Sequence, residues 1–166
     1  AGLVDLSLEQ LDEVLEDGAH WAVRNSFGTQ DDLVHIEETG KLPNADPGMV
    51  SDRAKKRGRN QLGTLGSGNH FVEIQYVSEV FDEEAAGVFC LWENQIVVMI
   101  HSGSRGLGHQ VCTDYLEIMQ RVMPKYGISV VDRQLACAPI KSQEGQAYLK
   151  AMAAAANFAF ANRQMM

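Results

Sequence analysis

One almost continuous apolar run, residues 95–101 (QIVVMIH), constrains the fold more than any other segment of the chain. Strand side chains alternate between two faces, so a run without alternation is typical of a strand that is covered on both. The run ends at His101, and the glycine-rich segment 102–108 (SGSRGLG) follows it. Helical periodicity then resumes at His109 and lasts to about residue 123, before Pro124. The sequence therefore predicts a core strand, a glycine loop and a helix, in that order.

A second glycine-rich segment, residues 61–68, leads into another predicted strand over residues 71–77. Because strand side chains alternate, we expect Asn69 and Glu73 to share one face and His70 to lie on the other. One face suits a base or ribose and the other a metal ion. A polar strand edge with a hydrogen-bonded histidine is the plainer alternative, and the pattern leaves both open.

The length of 166 residues favours about one domain, at roughly 150 residues per domain. The pattern predicts an α/β (α+β) class in which helices pack on a mixed sheet. The remaining elements, in chain order, are a helix capped by Ser7 that runs to about residue 21 or 23, a surface loop over 25–47, a helix over 47–59 that begins after Asp46, an acidic turn over 79–86 and a helix over 151–166.

The net charge of -8 is unevenly distributed along the chain. Residues 1–46 hold 11 acids and 2 bases, whereas residues 47–166 hold 11 acids and 12 bases. An acidic total does not exclude a site for a polyanion built from a few clustered cations. One basic cluster exists, which could be a solvated helix face or a contact for RNA phosphate. Its members are Arg53, Lys55, Lys56, Arg57 and Arg59.

Three cysteines without a CxxC spacing indicate neither a disulfide framework nor a zinc knuckle. Cys90 and Cys112 have apolar neighbours, so we expect them in the core. No stretch reaches the roughly 18 apolar residues of a membrane span, which predicts a cytoplasmic protein without membrane contact. The first residue is not Met and no closing signal follows the last helix, so we expect a segment of a longer protein.

Two places in the sequence could bind a ligand. His70 and His101 both adjoin glycine-rich segments at strand ends, where two imidazoles could ligate Zn²⁺ or Mn²⁺ with a third ligand from outside the segment. Backbone N–H groups, a helix N-terminus and Arg105 make segment 102–108 suitable for phosphate, although its glycine spacing matches neither the P-loop nor the Rossmann fingerprint. A tight structural turn is an equal alternative there. His20, His35 and His109 have no comparable setting, and we interpret them as structural.

Residues 63–73 (GTLGSGNHFVE) and 101–110 (HSGSRGLGHQ) closely resemble the RtcB family of RNA-splicing ligases. The resemblance continues through residues 138–140 and 161–164 and covers most of the chain. It implies a partial RtcB-like ligase fold, in which residues 1–166 form a single segment of a larger catalytic domain without an internal boundary. It also implies an enzyme dependent on GTP and Mn²⁺ that joins RNA 2′,3′-cyclic phosphate or 3′-phosphate ends to 5′-hydroxyl ends. Its partners would be tRNA halves or broken RNA, with an archease-type activator.

The resemblance also assigns roles to residues. His70 and His101 match ligands of a two-manganese centre. The guanine nucleotide would lie on a run made of Asn69, His70, Phe71, Val72 and Glu73. Arg105 would hold RNA phosphate together with Ser102 and Ser104.

The departures from the family pattern lie outside the two matching segments. The Asp-x-Gly-Cys-Gly motif with its metal ligands, the later His-Asn pair, the guanylylated histidine and the nucleotide-binding lysine have no counterpart here. We therefore expect no catalytic nucleophile in this chain and an inactive isolated segment. A metal-dependent phosphoesterase and a non-catalytic nucleotide- or RNA-binding module are the alternatives.

Overall fold

A computed structural model describes residues 4–166, which form helices and one small sheet. The elements are α1 (Leu8–Asp17), α2 (Ala19–Arg24), α3 (Gln30–Leu33), α4 (Asp52–Gly58), β1 (Phe71–Tyr76), α5 (Glu83–Val88), β2 (Ile96–His101), α6 (Arg105–Val122) and α7 (Gln143–Gln164). The combination of helices with a sheet confirms the predicted class. The sheet is a two-stranded antiparallel hairpin among the described residues, rather than a mixed sheet.

Contacts within the chain separate two compact units. The helical unit comprises Ala1–Thr64 and Gly103–Met166, and the hairpin unit comprises Leu65–Ser102. The hairpin unit is thus inserted in sequence between the two parts of the helical unit. That residues 1–166 form one segment of a larger catalytic domain stays a prediction.

Helix α7 is the centre of the helical unit, because its small side chains let α1, α2 and α6 pack closely against it. Its buried face combines six alanines with Phe158. Neither α7 nor any other helix of residues 4–166 is long and apolar enough to cross a bilayer. The buried side chains that α1 and α6 contribute to this core are Leu11, Val14, Leu15, Leu107, Val111, Tyr115 and Met119.

Helix α1 begins as predicted but ends earlier. The Ser7 hydroxyl accepts from the N–H of Gln10 (3.1 Å), and the Gln10 side chain accepts from the N–H of Ser7 (2.9 Å), which completes a capping box. The predicted continuation past residue 18 is wrong. Gly18 has a φ of +56°, which few other residues adopt easily, and its N–H closes α1 on the carbonyl of Val14 (2.9 Å). A separate helix, α2, then starts at Ala19.

The single helix predicted after Asp46 is two elements. The Asp46 carboxylate accepts from the N–H of Gly48 (2.9 Å) and caps only a short 3-10 turn. Val50 is extended and buried, which breaks the helical path. Ser51 then caps α4 by accepting a main-chain hydrogen bond (3.1 Å). Two closely spaced caps and a buried β-branched residue thus replace one continuous helix.

Helix α6 begins at Arg105, and the prediction of a glycine loop up to His109 is wrong. The glycines lie in its first turn, where they permit close packing. A Cβ at Gly108 would lie 3.7 Å from the Cβ of Ala155 on α7 and would collide with the side chain of Ser104. Glycine is required here by the side chain of Ser104 four residues earlier, because the distance to Ala155 is an ordinary van der Waals contact. A sequence pattern does not distinguish that need from a turn.

Three further boundaries differ from the prediction. Half of the predicted acidic turn belongs to α5, because the Asp82 carboxylate caps that helix by accepting from the N–H of Ala85 (2.9 Å). The predicted surface loop between α2 and α4 contains α3. Helix α7 starts at Gln143 instead of residue 151, since the Ser142 hydroxyl accepts from the N–H of Gly145 (3.0 Å).

Strand β2 is exposed, so the prediction of a strand covered on both faces is wrong for the described residues. Ile96 is 68% exposed and Val98 is 62% exposed on one face, and Met99 is 48% exposed on the other. Val72 and Ile74 of β1 are exposed as well. The apolar run does form the predicted strand, but no third strand pairs with it within residues 4–166.

The cysteines also differ from expectation. Cys90, Cys112 and Cys137 are all free and exposed. The prediction that Cys90 and Cys112 lie in the core is therefore wrong. Apolar neighbours in sequence did not indicate burial, because Cys90 follows the short exposed helix α5 and Cys112 lies on the outer side of α6.

Replacing Gly58 by alanine tests the close approach of α4 to α6. A Cβ at Gly58 would lie 2.7 Å from the Cβ of Leu107, so we expect Gly58→Ala to lower the free energy of unfolding by about 1–3 kcal/mol. Gly87→Ala on α5 is the control, since nothing lies within 4 Å of its Cβ position and alanine favours helix by about 0.5–1 kcal/mol. Urea denaturation measures both. Equal stability of the two variants would contradict the packing described here.

Candidate functional site

The register of the hairpin brings the two predicted histidines together. Antiparallel pairing sets Phe71 opposite His101, and His70 precedes Phe71 by one residue. The ring centroids of His70 and His101 are 5.9 Å apart, and those of Phe71 and His101 are 5.3 Å apart, both in edge-to-face orientation. Three rings therefore cluster where the chain enters and leaves the hairpin, as the placement at adjacent strand ends predicted.

The orientation of the His70 ring is set by the glycine turn before β1. Its Nδ1 lies 2.7 Å from the carbonyl oxygen of Ser67. Because a carbonyl can only accept, Nδ1 carries a proton, and the neutral form of this ring has its lone pair on Nε2. Gly66 and Gly68 have φ values of +117° and +76°, which form the turn that brings this carbonyl to the ring.

The predicted separation of a nucleotide face from a metal face is not present. His70 lies just before β1, so strand alternation does not fix the direction of its side chain. Its ring contacts His101, which shares a face with Phe71 and therefore with Glu73. Both kinds of group consequently lie on one side of the hairpin.

Ser102 joins the two glycine-rich segments within the hairpin unit. It is 7% exposed, and its hydroxyl donates to the carbonyl of Leu65 (2.6 Å). The bond ties the residue after β2 to the residue that begins the loop before β1. In this conformation the hydroxyl proton of Ser102 closes the loop, and its predicted contact with RNA phosphate stays a prediction.

The residues matched to the guanine nucleotide lie mostly in the open. Asn69, Val72 and Glu73 are exposed, whereas Phe71 is half-buried beside His101. The Glu73 carboxylate accepts from the side-chain amide of Gln75 (2.7 Å). An exposed carboxylate and an exposed side-chain amide can form hydrogen bonds with a purine nucleotide, and an aromatic ring can stack on its base.

Arg105 lies in the helical unit with its guanidinium already held at one atom. Its Nε donates to the hydroxyl of Thr64 (2.9 Å), and that hydroxyl donates to the carbonyl of Gln61 (2.5 Å). Arg105 has a φ of +55°, a conformation that costs a non-glycine residue roughly 1–2 kcal/mol. Such outliers persist where surrounding contacts enforce them, and they concentrate at functional sites.

The first turn of α6 is less open to a phosphate than the sequence predicted. The N–H of Gly106 donates to the side chain of Gln61 (2.8 Å), so one of the amides at this helix N-terminus is already paired. Ser104 precedes the helix without a side-chain capping bond, and its side chain lies against Gly108. Arg105 is the residue of this segment best placed to meet an anion.

Asn162 is the residue that sequence reasoning missed. It is fully buried on α7, and its Oδ1 accepts from the N–H of Thr64 (3.0 Å). Its Nδ2 donates to the carbonyls of Thr64 and Gly103, each at 3.1 Å. One side chain thus holds the two residues at which the chain leaves and re-enters the helical unit. A polar residue inside an alanine-rich helix was the available signal.

The family model for the tRNA-splicing ligase RtcB matches residues 1–166, the whole chain. This chain belongs to the RtcB family. The resemblance seen in the two glycine-rich segments is therefore confirmed.

Archaeal RtcB proteins are close relatives. The tRNA-splicing ligase RtcB of Methanocaldococcus jannaschii is 59% identical over 165 residues, which cover 99% of this chain and 17% of the relative. Those of Methanococcus maripaludis and Thermococcus kodakarensis are both 58% identical over 165 residues, which cover 34% of each relative. The chain thus spans about a third of the length of two of these relatives and about a sixth of the other.

The basic cluster of this RtcB segment is partly neutralised within the helical unit. Lys55 pairs with Asp12 (2.7 Å), and Arg59 pairs with Asp5 (3.3 Å). Arg57 donates to the side chain of Gln110 (2.8 Å). Three of the five cations are therefore engaged in contacts within the helical unit, and the interpretation of the cluster as an RNA contact stays a prediction.

The histidine pair is the candidate metal-binding feature of this RtcB segment. Within residues 4–166, no group of three His, Cys, Asp or Glu side chains converges in a way that could hold a metal ion. His35 and His109 are exposed and lie in the helical unit. Two imidazoles without a third protein ligand are an incomplete donor set for a catalytic metal.

Ser102→Ala tests how the hairpin holds its two histidines. Removing the buried donor leaves the Leu65 carbonyl without this hydrogen bond, which costs about 1–3 kcal/mol. We expect faster hydrogen exchange at the amides of β1 and β2, with little change in α7. Ser67→Ala removes an exposed hydroxyl and keeps the carbonyl that binds His70, so it is the control. Unchanged exchange in Ser102→Ala would contradict the closing role of Ser102.

Proposed function

We propose that this chain supplies part of the active site of an RNA ligase that joins RNA ends in tRNA splicing or RNA repair. The observation that carries the proposal is the convergence of His70 and His101 inside the two segments by which the chain resembles the RtcB family. The relatives named tRNA-splicing ligase support the same reaction class. A cytoplasmic location and an archease-type activator belong to the same proposal.

The donor chemistry of the histidine pair fits half of a manganese site. The two imidazoles lie close together, with ring centroids 5.9 Å apart, and imidazole nitrogen is a donor that suits Mn²⁺ or Zn²⁺. The carbonyl of Ser67 holds the His70 proton on Nδ1, the arrangement typical of a histidine whose other nitrogen binds a metal. His70 and His101 would hold Mn²⁺ with further ligands from outside this chain. Bound Mn²⁺ supplies charge neutralisation at phosphate oxygens.

The remaining site residues divide the work of binding two anionic substrates. Glu73 and Asn69 would hydrogen-bond to GTP, with Phe71 and Val72 as its apolar surface. Arg105 would bind the terminal phosphate of the RNA, because a guanidinium forms two parallel hydrogen bonds to phosphate. Ser102 and Ser104 flank it in sequence. The nucleophilic histidine that becomes guanylylated would lie outside this chain.

Manganese binding tests the histidine pair directly. We expect His70→Ala and His101→Ala each to weaken Mn²⁺ binding by this chain at least tenfold, because each removes one of two nitrogen donors. His35→Ala and His109→Ala are controls that remove exposed imidazoles of the helical unit. Isothermal titration calorimetry measures the affinity. Equal affinity in His70→Ala and the controls would contradict the metal site.

Product analysis tests the reaction class. In a full-length ligase of the family that carries this segment, we expect joining of an RNA 2′,3′-cyclic phosphate end to a 5′-hydroxyl end in the presence of GTP and Mn²⁺. His101→Ala should reduce the joined product by at least a hundredfold, and His109→Ala should retain it. Gel analysis of labelled RNA separates the outcomes. Hydrolysed ends without joined product would identify a phosphoesterase, and binding indifferent to His70→Ala would identify a non-catalytic module.

A further inference from the structure

We propose that Thr64 is the positioning residue for Arg105, and that the buried carboxamide of Asn162 holds Thr64 in place for this task. The inference rests on the proposed role of Arg105 in binding RNA phosphate. It deepens that role by naming the residues that fix the direction of the guanidinium. All three residues lie in the helical unit.

The contact between Thr64 and Arg105 leaves the phosphate-binding end of the arginine available. The hydroxyl of Thr64 accepts a hydrogen bond from the Nε–H of Arg105 (2.9 Å), which is the single N–H on the stem side of the guanidinium. Within residues 4–166, the two terminal nitrogens of Arg105 have no hydrogen bond or ion pair to a carboxylate. These terminal nitrogens carry the four remaining N–H groups, which suit phosphate oxygens. A guanidinium held at Nε presents them in one direction.

The Thr64 hydroxyl is itself oriented. It donates its proton to the carbonyl of Gln61 (2.5 Å), so its lone pairs are the part that faces Arg105. Gln61 also accepts from the N–H of Gly106, the residue after Arg105. The same short segment thus contacts the backbone beside Arg105 and, through Thr64, its side chain. The left-handed φ of Arg105 indicates that these contacts enforce a conformation that the residue would not adopt alone.

Asn162 fixes the main chain of Thr64 from both sides. Its carboxamide accepts from the N–H of Thr64 and donates to the carbonyl of Thr64, as a neighbouring strand would. The second contact of Nδ2, to Gly103, holds the segment that leads into Arg105. Only a side chain with both an acceptor and two donors can make these three bonds, and at this length that side chain is asparagine.

A double-mutant cycle between Thr64 and Arg105 tests the proposal. The affinity of this chain is measured for a short RNA that ends in a 3′-phosphate and for the same RNA with a 3′-hydroxyl end. We expect Arg105→Ala to weaken binding of the phosphate-ended RNA about tenfold or more, since it removes a charge-assisted pair. Thr64→Val, which keeps the shape and removes the hydroxyl, should weaken it about fivefold, and Thr64→Ser should restore it to within about twofold. Thermal melting of each variant accompanies the binding data.

The combined variant separates positioning from a structural role. If Thr64 acts through Arg105, then adding Thr64→Val to Arg105→Ala causes no further loss of affinity. A Thr64→Val effect of equal size in both backgrounds would overturn the positioning role and leave the phosphate role intact. An Arg105→Ala variant with unchanged affinity for the phosphate end would instead overturn the phosphate role, and the positioning proposal would fall with it.

The chain offers a matched control for Asn162 in Asn157. Both are fully buried on α7, and Asn157 likewise accepts from a main-chain N–H, that of Leu42 (2.7 Å), and donates to the carbonyl of Leu15 (3.0 Å). Asn162→Asp and Asn157→Asp both turn buried donors into acceptors, so both should lower the melting temperature. When Arg105 is intact, we expect Asn162→Asp, but not Asn157→Asp, to weaken binding of the phosphate-ended RNA. In the Arg105→Ala variant, we expect Asn162→Asp to cause no further loss of affinity. Equal losses in the two aspartate variants at matched stability would overturn the role of Asn162.

Discussion

The hydrogen bonds of the Asn162 carboxamide are the interaction on which the arrangement of Thr64 and the segment before Arg105 depends. Main-chain N–H and C=O groups that are removed from water must find partners, and Thr64 and Gly103 find theirs in one side chain of α7. Helix α7 can offer a polar side chain at this depth because its alanines bring neighbouring segments within reach. Asn157 likewise forms hydrogen bonds to the main-chain N–H and C=O groups of Leu42. Two asparagines thus fix irregular segments that have no regular secondary structure of their own.

The histidine pair depends on a different set of polar contacts. Register alone places Phe71 opposite His101, but His70 lies outside the strand and needs the Ser67 carbonyl to direct its ring. Ser102 then ties the loop to the end of β2 through Leu65. A two-stranded hairpin has little stability of its own, so such local hydrogen bonds decide how well two rings are held near each other. The positive φ values of Gly66 and Gly68 form the turn that brings the Ser67 carbonyl to the ring of His70.

Local signals in the sequence predicted what local physics determines. The helix cap at Ser7, both strands and the placement of His70 and His101 at adjacent strand ends follow from short-range patterns. Glycine misled the prediction at α6, because a Cβ at Gly106 would lie only 2.8 Å from the side-chain oxygen of Gln61, a residue 45 positions away in the sequence. The partners of Asn162 are similarly remote in sequence, so no periodicity could indicate them. The predicted burial of β2, Cys90 and Cys112 was wrong for a related reason, because the exposure of a side chain depends on which other segments pack against it.

The uneven charge of the chain has a structural explanation that bears on anion binding. Acids of the N-terminal part are paired locally: Asp12 binds Lys55, and Asp17 binds both Lys41 and Arg24. Burial raises the pKa of Asp17, but the hydrogen bonds from the two cations outweigh it and hold that pKa below its usual range. Charges beyond about 8 Å are largely screened at physiological salt, so unpaired acids elsewhere on the surface weigh little at a bound phosphate. For the proposed phosphate contact, a guanidinium held in a fixed direction would matter more than the net charge of the chain.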